Sequence, residues 1–300
     1  MKYPPLRTGV IGLGVIAPYF LDAIERNPDC VLTAVCDHEA GRLSGRNVAG
    51  YLDYRELLLR EAIDLAVITL PNYLHEAVIE ACLTAGVHVC CEKPLTLSRS
   101  SAQRLQAMAA ERDRVLTVAS HRRHNGHLVR LARQVSPARA AHVLVRYYEA
   151  IEAHSGDDAW YQDPARSGGG CLVDNGPNAL DMARVVAGEM AVKAARIGEV
   201  LAGVEYRAQL LLLAAAGAAV TIDLRWDYPG QLKDVTVFLD DGSTLSADLL
   251  AGYQGLKGSL AHEYDGIVAH AVACIRGQET ADDVTALAGL VEDAYELAGR

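Results

Sequence analysis

The stretch Thr8–Leu13 narrows the choice of fold more than any other. It is a short apolar run that leads into Gly12-Leu13-Gly14-Val15-Ile16-Ala17, and a helical pattern follows to about Arg26, stopped by Asn27-Pro28. The first glycine of such a turn lets the chain bend sharply out of a strand. The second lets a ligand approach the backbone, and a small third residue lets helix and strand pack closely. The open N–H groups at the start of the helix suit a pyrophosphate. The next apolar run, Val31–Cys36, closes with Asp37. An acid about 20 residues beyond the glycines accepts hydrogen bonds from ribose hydroxyls and repels a 2′-phosphate. The expected cofactor is therefore NAD rather than NADP, with Arg42 the nearby cation that argues the other way.

The rest of the first half repeats the strand–helix rhythm. Tyr54–Arg60 reads as a short helix and Leu65–Leu70 as a buried strand ending at Pro71-Asn72. Leu74–Ala85 is helical with Gly86 as its stop, Ser98 caps a helix to about Arg112, and Val115–Ala119 is a further strand. Such alternation means a parallel, doubly wound sheet. Between these elements Val87–Cys91 is a short buried strand that runs into Glu92-Lys93-Pro94. Pro94 cannot donate to a ladder, so the strand ends there. Ligands of open parallel sheets bind beyond the carboxyl ends of the strands, which is where Lys93 is expected. A lysine whose pKa is lowered by burial or a neighbouring cation can exchange a proton near neutrality.

After about Ser120 the texture changes. His121-Arg122-Arg123-His124 is polar and basic, Ala141–Tyr148 is a strand, and Ile151–Ser167 reads as a long loop holding Trp160-Tyr161. Pro177 suits the first turn of a helix to about Ala187. From Val192 strands dominate, with Asp241-Gly242 as a hairpin turn, and two helices close the chain. The expected fold is α/β: a Rossmann domain over 1–121, then an α+β domain over 122–300 with a large, mostly antiparallel open sheet. The C-terminal helix is free to pack back on the first domain. Apolar faces of such a sheet tend to mark interfaces, so a homodimer or homotetramer is expected.

Composition excludes several functions. With 51% hydrophobic residues a full core is available, yet no apolar run reaches the ~20 residues of a membrane span. The net charge of −10, without a basic block, argues against nucleic-acid and anionic-membrane partners. The start, Met1-Lys2-Tyr3-Pro4-Pro5, lacks the long apolar segment expected of a secretory signal. The seven cysteines have no zinc-ligand spacing, so reduced thiols, a cytoplasmic setting and no metal are expected.

Taken together the segments resemble the glucose–fructose oxidoreductase / inositol dehydrogenase / MocA family (Gfo/Idh/MocA) over nearly the whole chain. Its first turn is similar to Gly12–Ala17, its "T-P-N-x-x-H" segment to Thr69–His75, its "G-x-H-V-x-x-E-K-P" signature to Gly86–Pro94, and its "S-G-G-G-x-L-x-D" to Ser167–Asp174. The resemblance implies an NAD(P)-dependent dehydrogenase or reductase acting on a CH–OH group of a sugar, cyclitol or aminocyclitol. It implies cofactor contacts from Gly12, Gly14, Val15, Ile16, Ala17, Asp37, Leu70, Pro71, Asn72, His75, Glu92, Lys93 and Trp160. Lys93 would lie beside the reacting carbon and Asp174 would orient the substrate, with Arg122, Tyr161 and Asn178 alongside. One departure stands out. The family pattern "D-x-G-x-H-x-x-D" has its acid/base His where this chain has Asn178, and an amide cannot relay a proton at ordinary pH. Lys93 is the first candidate to carry it; His121, His124, His154 and Tyr161 are others. Two rival readings remain open: a non-catalytic NAD-dependent sensor, and an enzyme that uses bound NAD for transient oxidation in an elimination or epimerisation.

Overall fold

The computed structural model describes residues 3–155, 159–255 and 257–300, and for residues 154, 155, 159 and 199 the backbone alone. Two units divide the chain, 1–119 with 260–285 and 120–259 with 286–300.

The first unit runs β1 (Leu6–Ile11), α1 (Ala17–Arg26), β2 (Cys30–Cys36), α2 (Ala40–Leu43), β3 (Ala49–Tyr51), α3 (Tyr54–Arg60), β4 (Leu65–Ile68), α4 (Asn72–Thr84), β5 (His88–Cys91), α5 (Arg99–Glu111) and β6 (Leu116–Val118). The strands form one parallel six-stranded sheet in the order β3-β2-β1-β4-β5-β6. This is the doubly wound order whose reversal beside β1 creates a binding crevice. Local chemistry sets the helix limits. Asp53 accepts from Arg55 N at 2.8 Å to open α3, and Ser98 accepts from Ser101 N at 3.2 Å to open α5. The run β4 is buried at all four positions, as a strand covered on both faces must be.

The second unit contains α6 (Gly126–Gln134), β7 (Ala140–Ala150), α7 (Ile151–Ser155), α8 (Pro164–Ser167), α9 (Cys171–Asp174), α10 (Gly176–Ala187), β8 (Met190–Leu201), β9 (Val204–Ala214), β10 (Ala219–Arg225), β11 (Asp227–Leu239) and β12 (Thr244–Asp248). Its six strands are ordered β12-β11-β7-β10-β9-β8. The pairing is mostly antiparallel, with β7 and β10 parallel. Along β9 burial alternates, so that Leu210 and Leu212 face a core with Val143, Leu180 and Trp226 while Leu211 and Leu213 face outward. The stretch 151–167, expected as a loop, is instead partly helical: α7, a 3-10 turn over Ala159–Gln162 and α8, which Asp163 caps through Ala165 N at 3.1 Å. Short turns of this kind carry no 3.6-residue apolar period and so leave little trace in sequence.

Two helices end the chain, α11 (Leu260–Ile275) and α12 (Thr285–Leu297). The division between the units is therefore not the linear one at 121/122. In α11, Leu260, Tyr264, Ile267, Val268 and Ala271 join the core of the first unit with Phe20, Leu21 and Ile24 of α1. In α12, Leu287, Leu290 and Ala294 join the core of the second. Among the described residues no helix is long and apolar enough to cross a membrane.

Candidate active site

In the first unit the residues singled out above gather at the carboxyl edge of the parallel sheet. Gly12 follows β1 with φ of +96°, and a Cβ there would lie 2.8 Å from Thr69 O, so the protein itself requires the glycine. A Cβ at Gly14 would meet nothing within 4 Å, which leaves the backbone open to a ligand. Ala17 begins α1 fully buried, and no side chain caps the helix start at Ile16. In that first turn Ala17 N and Tyr19 N donate to Gly14 O and Ile16 O at 3.2 and 3.1 Å and Pro18 has no N–H, so an anion here would meet the glycine turn rather than the helix itself. Asp37 closes β2 with its carboxylate almost buried, accepting from Leu13 N at 2.7 Å and Glu39 N at 2.9 Å. Each oxygen keeps lone-pair capacity for a further donor. Arg42 lies 3.5 Å from Asp37 and 3.0 Å from Glu39, so its charge faces two acids. An open glycine turn and an acid at the end of the second strand fit the pyrophosphate and ribose hydroxyls of NAD.

The same edge carries Lys93. Glu92, expected against the cofactor, is 7% exposed and accepts from Tyr264 Oη of α11 at 2.7 Å and from Lys93 N at 3.1 Å. It anchors the backbone on which Lys93 stands. His75, expected on the cofactor side, is 0% exposed. Nδ1 lies 2.8 Å from Pro94 O and Nε2 2.7 Å from Leu70 O. Two N–H groups satisfy two carbonyls and one cannot, while burial works against the charged form and pushes the pKa down. The ring ties the segment after β4, with Leu70 and Pro71, to the segment after β5, with Lys93. Asn72 opens α4 and is buried.

The second unit holds the other expected residues. Asn178 lies in the first turn of α10, 3% exposed; its Nδ2 donates to Tyr147 Oη at 3.4 Å, and its buried Oδ1 has no hydrogen-bond partner. Arg122, read as a substrate contact, is 3% exposed. It donates from Nε and Nη2 to the same Tyr147 oxygen at 3.3 and 3.1 Å, and from Nη1 to Ser259 Oγ at 3.0 Å. Tyr147 thus links Asn178 to Arg122, and Lys233 sits 4.8 Å above its ring while pairing with buried Glu149 at 2.8 Å. Neither Tyr147 nor this ion pair carries a sequence signal beyond strand alternation. Asp174 ends α9 half-buried. The partly buried Lys257 faces the charges of Asp174 and Glu149, and desolvation lowers its pKa against their pull. Trp160 and Tyr161 stack with centroids 3.9 Å apart. The side chain of His154 lies outside the described residues.

The glycine triplet before Asp174 has a packing cause. A Cβ at Gly170 would lie 2.1 Å from Glu205 O, and one at Gly169 2.3 Å from Tyr295 Oη. Glu205 Oε1 accepts from Gly170 N, Leu172 N and Tyr295 Oη at 2.9, 3.0 and 2.6 Å, which fixes the turn that presents Asp174. The seven cysteines are free and buried, and burial pushes the Cys36, Cys82 and Cys90 thiols up to about 12, far from a nucleophile's range.

Two family models match the chain. Residues 6–120 match GFO/IDH/MocA, an oxidoreductase family with an NAD-binding Rossmann fold, and residues 137–245 match the GFO/IDH/MocA C-terminal domain. The dTDP-3,4-didehydro-2,6-dideoxy-alpha-D-glucose 3-reductase of Actinomadura kijaniata is 39% identical over 120 residues, 37% of this chain and 35% of that protein. The D-glucoside 3-dehydrogenase of Escherichia coli is 30% identical over 205 residues, 64% of this chain and 57% of that one. The chain spans about half the length of the first curated relatives it matches. In fold it is similar to the crystal structure of GenD2 from gentamicin A biosynthesis in complex with NAD, with a TM-score of 0.88 at 24% identity, covering 100% of this chain and 96% of that one.

Proposed function

The chain belongs to the GFO/IDH/MocA family of NAD-binding oxidoreductases, and on that premise we propose that it moves hydride between NAD and a secondary alcohol or ketone of a sugar, cyclitol or aminocyclitol. The sugar substrates named for its relatives support the class. The observation that carries the reading is the seating of Lys93. It stands at the carboxyl edge that also bears the Gly12 turn and Asp37, its own N–H is held by Glu92, and the carbonyl of the next residue is held by His75.

Bound NAD supplies the carbon that accepts hydride. The chain supplies the rest. The turn with Gly12 and Gly14 receives the pyrophosphate, and Asp37 receives the ribose hydroxyls. Lys93 Nζ takes the proton of the substrate hydroxyl, or returns it in reduction, and its charge stabilises the alkoxide between. In Asn178 the buried Oδ1 accepts a substrate hydroxyl in place of the proton relay that an imidazole would provide, and Asp174 orients a neighbouring hydroxyl. Trp160 and Tyr161 add apolar surface. A second copy of the chain completes the assembly over the outward face of the second unit's sheet, where Leu211, Leu213 and Phe238 are 40–46% exposed.

A panel of sugars, cyclitols and aminocyclitols incubated with NAD tests the proposal by absorbance at 340 nm. Net NADH formation supports it. Product without net reduction favours transient oxidation, and tight NAD binding without any product favours a sensor.

A further inference from the structure

α11 sends one buried side chain to the residue that precedes Lys93. Tyr264, in the second turn of that helix, is 2% exposed. Its ring is set by α1: Phe20 meets it edge-on with centroids 4.8 Å apart, and Tyr19 lies 5.6 Å away. From there Oη donates to Glu92 Oε1 at 2.7 Å, joining residues 172 apart in the chain. The other oxygen of Glu92 accepts from Lys93 N at 3.1 Å, and Glu92 N extends the sheet by donating to Ile68 O at 2.9 Å.

Packing accounts for the ring but not for the hydroxyl. A Phe would fill the same space beside Tyr19 and Phe20 without burying a polar group, and a carboxylate is costly to bury unless donors meet it. Here the buried hydroxyl and the buried carboxylate meet each other directly before Lys93. On the far side, His75 of α4 meets Pro94 O at 2.8 Å. Lys93 thus stands between two backbone anchors, each held from a different helix. The stem of a lysine is long and flexible, so its root is the part that the fold can fix. A misplacement of a reacting group by about 1 Å can lower turnover by about 10²-fold.

We propose that Tyr264 is a positioning residue for hydride transfer: through Glu92 it fixes the backbone from which the Lys93 side chain extends. α11 is then part of the support of the active site, although it lies far from the other site segments in sequence. The inference rests on the role proposed above for Lys93.

Tyr264→Phe keeps the ring and removes only Oη. In the full chain it should lower kcat at least about fivefold while KM for NAD and for the sugar or cyclitol changes less than about twofold. In Glu92→Gln, whose amide nitrogen cannot accept a hydrogen bond, adding Tyr264→Phe should lower kcat no further. A second readout needs no turnover. The five lysines are converted to their carbon-13 dimethyl forms, and the Lys93 resonance is identified by its loss in Lys93→Met. It should move by more than its linewidth in Tyr264→Phe while the other resonances stay. If Tyr264→Phe fails to fold, Glu92→Gln should move the same resonance. Unchanged kcat, an equal fall with and without Glu92→Gln, or an unmoved Lys93 resonance would each overturn the proposal. Absence of turnover in the unaltered chain would instead contradict the proposed function, and the resonance then decides whether Tyr264 positions Lys93.

Discussion

Asp37 performs two tasks with one carboxylate. It holds the glycine turn through Leu13 N, and in the proposed complex it sets the charge that a ribose meets. NAD should therefore bind more tightly than NADP, and Asp37→Ser should narrow the difference, since a hydroxyl removes the repulsion but can still accept from the turn. Fluorescence titration of both nucleotides checks this; NADP tighter by about tenfold (roughly 1.4 kcal/mol) in the unaltered chain would contradict it. The placing of Asp37 and Lys93 was legible in the sequence because each follows a short apolar strand at a short, recognisable spacing. The hold of Asp37 on the glycine turn was not, because a side chain's partners 24 residues away depend on how two strands are set side by side. The same holds for Tyr147, which is one more alternating residue in a strand until the fold brings Asn178 and Arg122 to its oxygen.

At the level of elements, the segments after β4 and β5 are joined through His75, and α9 is set by Glu205. His75→Ala removes the one N–H that the neutral ring gives to the carbonyls of Leu70 and Pro94. A stranded carbonyl costs about 1–3 kcal/mol, so a loss of about that size is expected in urea unfolding, with partial recovery in His75→Gln. Unchanged stability would show that the ring holds nothing. Gly170→Ala forces a methyl into the Glu205 backbone and should cost at least about 2 kcal/mol, read from the same measurement. The sequence presents His75 and the triplet Gly168-Gly169-Gly170 as parts of recognisable segments, which invites a ligand-binding interpretation of each. The structure gives both an internal cause: a wholly buried ring, and glycines pressed against Glu205 and Tyr295. Strand and helix limits were legible to within a few residues where caps and glycine stops exist, as at Asp53, Ser98 and Gly188. They were not where turns are short, as over 151–167.

For the molecule as a whole, the chain leaves its first unit at about residue 120 and returns to it with α11 rather than with the last helix, because amphipathic helices near a chain end carry no mark of which core they join. The outward row of Leu211, Leu213 and Phe238 leads us to expect a homodimer or homotetramer in sedimentation velocity at micromolar concentration, and Leu211→Asp to shift it toward monomer; a monomeric unaltered chain would contradict this. Lys93 is proposed to carry the proton in an NAD-dependent oxidation despite Asn178. The most direct test compares turnover of Lys93→Met with the unaltered chain at 340 nm, on whichever sugar or cyclitol the panel identifies, with NAD affinity measured alongside. Turnover should fall at least ~10²-fold with NAD affinity nearly unchanged; near-normal turnover in Lys93→Met would contradict the assignment of the proton to Lys93.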